Sequence, residues 1–169
     1  SLYTSVQRDF QVDVPWAWEV LVENEGADFS SASFIGPFEP DFYLGAPSFS
    51  IRWHKSYYPH RLPKGLLEMY VDADDYISQA LQKVYGPRYT LLWRDKQGVF
   101  HPCLEDAPCI TSVEVSGRQG KHFIVKSAAP AQPGARWGTA LDGQGRDINP
   151  RQHAYVVVPM ERGFYVLIY

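Results

Sequence analysis

Apolar and polar residues alternate along this chain in short runs, and most runs have the two-residue period of a half-buried strand. In "DFQVDVP", Phe10, Val12 and Val14 alternate with Gln11 and Asp13. A strand is predicted there, ended by Pro15, which has no N–H to give to a ladder. "WEVLVE" repeats the pattern with Trp18, Val20 and Val22, so the two segments read as an antiparallel pair bent at "PWA". "SASFIG" and "SFSIRWH" predict a third and a fourth strand, with Phe49, Ile51 and Trp53 on one face of the fourth.

The period changes to that of a helix in "DADDYISQALQKVYG". Ile77, Ala80, Leu81 and Val84 form one apolar stripe, and Asp72 or Asp74 can cap the start, where negative charge meets the positive end of the helix dipole. Gly86 and Pro87 stop it. Strand patterns resume in "RYTLLWRD" and "GVFHPCL", joined by "KQG", and in "ITSVEVSGRQGKHFIVKS", which folds around "SGRQG" with Val113, Val115, Phe123 and Val125 facing inward.

Three aperiodic segments interrupt this series. "PFEPDFYLGAP" and "KSYYPHRLPKG" read as loops, and their aromatics are either core plugs or an interaction surface. Phe38, Phe42, Tyr43, Tyr57 and Tyr58 are therefore interface candidates. "AAPAQPGARWGTALDGQGRDINPRQH" reads as one long loop that is functional or hides a short element. It contributes Arg136, Trp137, Arg146 and Arg151, because arginine and aromatic residues are enriched at binding hot spots.

The chain closes on "YVVVPMERGFYVLIY", two apolar runs around a polar turn. Phe164, Val166 and Ile168 point to one face of the last strand, and Tyr165, Leu167 and Tyr169 to the other. Each such side chain left in water forgoes roughly 1.5–3 kcal/mol. The last strand therefore requires cover above and below. The sequence offers one clear helix for this, so the second layer is expected from the long loops, a removed C-terminal segment or a partner chain, and Tyr169 joins the interface candidates.

"DFQVDVPWAWEV", "DADDYISQALQKVYG", "SVEVSGRQGKHFIV" and the closing hairpin together resemble the PsbP-like family over most of the chain. The shared residues bear the fold rather than a reaction. The resemblance implies an α+β domain, an α/β/α sandwich around a central antiparallel sheet, over residues 1–169 and without the family's C-terminal helix. The family includes the extrinsic lumenal subunit of photosystem II and bacterial proteins of unassigned role. It implies an accessory domain that docks onto a larger, membrane-associated protein complex.

Composition narrows the classes. The 169 residues are 45% hydrophobic and 21% charged, values of a single globular domain. A net charge of −3 argues against a nucleic-acid binder or a general binder of anionic membranes. No apolar run is long enough to span a bilayer as a helix. Cys103 and Cys109, in "CLEDAPC", are either two separate buried thiols or, as the spacing favours, a small disulfide loop. An oxidised pair suits export to a periplasm, lumen or cell surface, and the start at Ser1 fits a processed chain.

Candidate chemistry is sparse. His101 with the two cysteines lacks the paired spacing of a zinc site. Asp142 and Asp147, in "DGQGRD", lack the alternating ligands of a calcium loop and read as a solvated turn. No serine elbow, phosphate loop or dinucleotide fingerprint occurs. The expectation is a non-enzymatic binding domain with no cofactor. The alternative is a small-ligand or metal-binding enzyme built on His54, His60 and His101.

Overall fold

The computed structural model of the protein describes residues 1–38, 46–61, 67–84, 89–105, 107–130, 140–141 and 143–169. In chain order the elements begin with β1 (Leu2–Thr4), β2 (Gln11–Asp13), β3 (Glu19–Asn24), β4 (Phe29–Ile35), β5 (Ser48–Lys55), β6 (His60–Arg61) and β7 (Leu67–Glu68). Then come α1 (Ala73–Val84), β8 (Tyr89–Arg94), β9 (Phe100–Pro102), β10 (Thr111–Val115), β11 (Arg118–Pro130), β12 (Ala140–Leu141), β13 (Asp147–Pro159) and β14 (Gly163–Ile168).

Ten strands make one sheet, in the order β3-β4-β5-β14-β13-β11-β8-β9, with β10 beside β11 and β12 beside β13. Every pairing in it is antiparallel. β11 and β13 pair from Lys121–Val157 to Pro130–Ile148. Where the segment expected to be a long loop, 128–153, is described, it is mostly strand, hidden by glycines and prolines that break its period. β1 pairs with β2, and β6 with β7, as separate ribbons.

α1 lies on one face of the sheet. Asp72 accepts the N–H of Asp75 at 2.9 Å, and Asp75 accepts the N–H of Val71 at 2.9 Å, a reciprocal cap that starts the helix. Its stripe of Ile77, Ala80 and Leu81 packs with Leu91, Phe123, Val125, Val157, Phe164 and Val166. His54 is buried at the edge of this core, stacked on Phe164 at 5.3 Å and edge-on to Tyr70 at 5.3 Å.

The opposite face of β4, β5 and β14 is covered by the N-terminal ribbon. Tyr3, Phe10, Val12 and Val14 pack there with Phe34, Ile51, Tyr165 and Leu167. The hydroxyl of Tyr165 donates to the Asp9 carboxylate at 2.5 Å and ties the ribbon to the last strand. The second layer demanded by β14 is therefore β-structure from the other end of the chain.

This corrects two expectations. The protein is not an α/β/α sandwich: it is mostly β, with a single helix among the described residues. A helical stripe was available in one place only, and alternating residues at the N-terminus supplied the other layer. Nor do "DFQVDVP" and "WEVLVE" pair with each other; β2 takes β1 as partner and β3 takes β4. Ala17, with φ of 72°, turns the chain between them and sends Trp18 inward.

Two predictions follow from this packing. A Cβ on Gly163 would collide with the backbone carbonyl of His54, so Gly163→Ala is expected to cost roughly 1–3 kcal/mol in urea unfolding. Burial, then the bond to Asp9, raises the Tyr165 pKa above its ordinary 10.0. Its contribution is complete below that value and lost as pH rises through the folded-state pKa. Tyr165→Phe should cost about 1 kcal/mol at neutral pH. It should also flatten, without abolishing, the alkaline loss of stability, because burial raises Tyr70 and Tyr76 as well.

Candidate functional site

β9, at one end of the sheet, is three residues long and finishes on Pro102, which has no N–H to offer. The Cys103–Cys109 disulfide follows at once and closes a loop across a 3-10 turn (Ala107–Cys109). The N–H of Cys103 bonds to the Leu91 carbonyl at 2.8 Å, so the chain beyond β9 is pinned back to β8. A short strand ended by proline and a covalent loop is a guarded edge. Leu104 stands fully exposed on that loop.

β3, at the other end, is six residues long and contains no proline. Among the described residues it pairs with β4 alone. Its register puts Val20 and Val22 on the ribbon side, opposite Phe34 and Ala32, and Leu21 on the helix side, opposite Ser33. All three remain exposed, at 41%, 46% and 43%. A register shift between Val22 and Asn24 bends only the far end, leaving Glu19–Val22 in regular pairing. Trp16, just before the strand, is 93% exposed. The left-handed Ala17 that buries Trp18 turns Trp16 outward. Such a conformation costs a non-glycine residue of order 1–2 kcal/mol.

Past Asn24, the turn into β4 and the chain after β5 line an open groove of about 500 Å³, with Gly26, Ala27, Asp28, Phe29, Tyr58 and Leu67 in its wall. Tyr58 lies under the Lys55 ammonium at 5.5 Å, and Lys55 pairs with Asp28 at 2.8 Å. A second cavity, between the ribbon and β3–β4, is about 20 Å³, room for a water rather than a substrate.

The expected interface residues are dispersed. Tyr57 is exposed, and Tyr58 lines the groove at the turn between β3 and β4. Phe38 is exposed on the segment after β4. Arg146 is exposed in the turn before β13, and Arg151 is on β13 opposite Ser127. Tyr169 is exposed, with its backbone paired to Ala154. Phe42, Tyr43, Arg136 and Trp137 lie outside the described residues, as does Asp142. Asp147 begins β13 opposite Leu141.

The histidines of the enzyme alternative do not converge. His54 is on β5 and His101 on β9, five strand positions apart, or roughly 24 Å at the usual spacing. His60 lies on β6, outside that sheet. His101 stacks on Trp93 at 4.7 Å and meets Asp95 at 2.7 Å. That bond first, and the N–H groups of Val99 and Gln97 as well, hold the Asp95 carboxyl below its ordinary range. Among the described residues no group of three His, Cys, Asp or Glu is placed to hold a metal ion.

Sequence reasoning overlooked Trp16, Leu21 and Leu104. "VLV" within "WEVLVE" is apolar on both faces, like the last strand, but whether such a strand is central or at an edge depends on long-range pairing. Comparison with known proteins adds nothing: no family model, curated protein or solved structure matches the chain.

Because the disulfide holds the guarded end, its reduction, or a Cys103→Ala/Cys109→Ala double substitution, should lower stability by about 2 kcal/mol in urea unfolding.

Proposed function

We propose that this protein is an accessory binding domain that joins a larger protein assembly through the β3 end of its sheet. The observation that carries the reading is the β3 edge: among the described residues it is paired along one side only, with apolar side chains exposed on both faces. Exposed apolar surface on a folded domain marks association sites, and an open strand offers main-chain hydrogen bonds as well. Trp16 and Tyr58 extend the surface at its two ends. The Cys103–Cys109 disulfide supports an oxidising compartment, so we place the assembly outside the cytosol. The docking role agrees with what the PsbP-like resemblance implies, but the support here is the exposed edge and not a shared fold.

Val20→Thr with Leu21→Thr tests this. Both positions are exposed, so stability should change by no more than about 0.5 kcal/mol. In extracts of native cells the wild-type chain should migrate in a particle much larger than 19.2 kDa, and the double variant as a monomer. A wild-type chain that migrates as a free monomer would remove the reading.

A further inference from the structure

The charge along the chain is unevenly divided. From Asp9 to Ile51 there are eight carboxylates and no Lys, Arg or His. Since the whole chain carries only −3, the remaining residues are net positive. The acidic stretch spans β2, β3 and β4, which includes the whole open edge. Asp28 is neutralised by Lys55, and Asp9 is engaged by Tyr165 and Ser5. Glu19 and Glu25 are exposed at the two ends of β3, with no basic residue between them.

We propose that the β3 edge takes an extended segment of a partner protein as an added strand, and that this segment alternates apolar residues with Lys or Arg. The proposal rests on the docking reading above and names the partner class. The register dictates the pattern. Val20 and Val22 face the ribbon side, so the added strand presents apolar side chains there. Glu19 and Leu21 face the helix side, so the alternate positions of the added strand meet a carboxylate at the start of β3. A partner of this kind has the sequence rhythm of an ordinary strand with a basic outer face.

The same charges exclude a second copy of this chain. Pairing β3 with itself would bring Glu19 and Glu25 of each copy along one short ladder, and like charges across a ladder repel. Soluble proteins protect open edges with charge. Here all the protecting charges have one sign, so the edge repels itself and admits its opposite.

The test uses the full chain and three short labelled peptides. One alternates Val and Lys, one replaces each Lys by Glu, and one carries Pro at a central Val. The Val/Lys peptide should bind at least about tenfold more tightly than either other and slow amide exchange within β3. Its affinity should fall about tenfold between about 50 mM and 500 mM salt, because exposed charges are screened. Glu19→Lys with Glu25→Lys, at two exposed positions, should reverse the preference toward the Glu peptide. Equal binding of the Lys and Glu peptides, slowed exchange elsewhere only, or an unreversed preference would each overturn the proposal. If that happens while the chain still migrates in a β3-dependent particle, the docking reading stands and only the basic strand falls. If the particle is also absent, both fall.

Discussion

β14 cannot be left with either face in water, and this one requirement organises the protein. Phe164 and Val166 are fully buried toward α1, while Tyr165 and Leu167 are packed under the N-terminal ribbon. Each face is worth several kcal/mol of apolar burial, so neither layer is dispensable. The ribbon is also held by direction-specific contacts. Phe10 meets the Tyr165 ring edge-on at 6.1 Å, Tyr3 meets Phe34 edge-on at 5.2 Å, and Asp9 receives the Tyr165 hydroxyl. These contacts join the two ends of the chain, so the cover on β14 is also a tie between residues that are 156 positions apart.

Placing the ribbon on β4, β5 and β14 has a consequence for the edge beside them. The ribbon reaches over Phe34 and Ala32 and approaches the Val22–Glu25 end of β3 across a small cavity, but it leaves Val20 and Val22 exposed. On the other face α1 packs over β8, β11, β13 and β14, and Leu21 is likewise exposed. β3 therefore gains one ladder of hydrogen bonds from β4 and little shelter from either layer. The β9 end has proline, a short strand and a disulfide instead. The two ends of the β3-to-β9 strand path are treated in opposite ways, and the proposed docking role rests on that contrast.

Much of the strand content was legible because alternation is local. The runs in β4, β5, β10 and β14, the helix stripe and its Asp72 cap all stand in the sequence within a residue or two of where they form, whereas β13 begins at Asp147, eight residues before the run that starts at Tyr155. The need for two layers over β14 was equally legible, since it follows from apolar residues on both sides of one strand. The identity of the second layer was not. Nothing local in "DFQVDVP" distinguishes a sheet strand from a covering ribbon, and the contact that decides it lies at the opposite end of the chain. The family resemblance drew on the same apolar residues and so implied a second helical layer that is absent among the described residues. The exposed edge was hidden for a related reason: Val20, Leu21 and Val22 look like core residues until the strand order puts them last.

The most direct test of this account is a proton nuclear Overhauser spectrum of the protein with its tyrosine and phenylalanine rings selectively labelled. Cross-peaks should join the Tyr165 ring to Phe10, and the Phe164 ring to Tyr76 on α1. Tyr165 cross-peaks to α1 residues, or a Tyr165 ring with no ribbon neighbour, would contradict a sheet sheltered by a helix on one side and the N-terminal ribbon on the other.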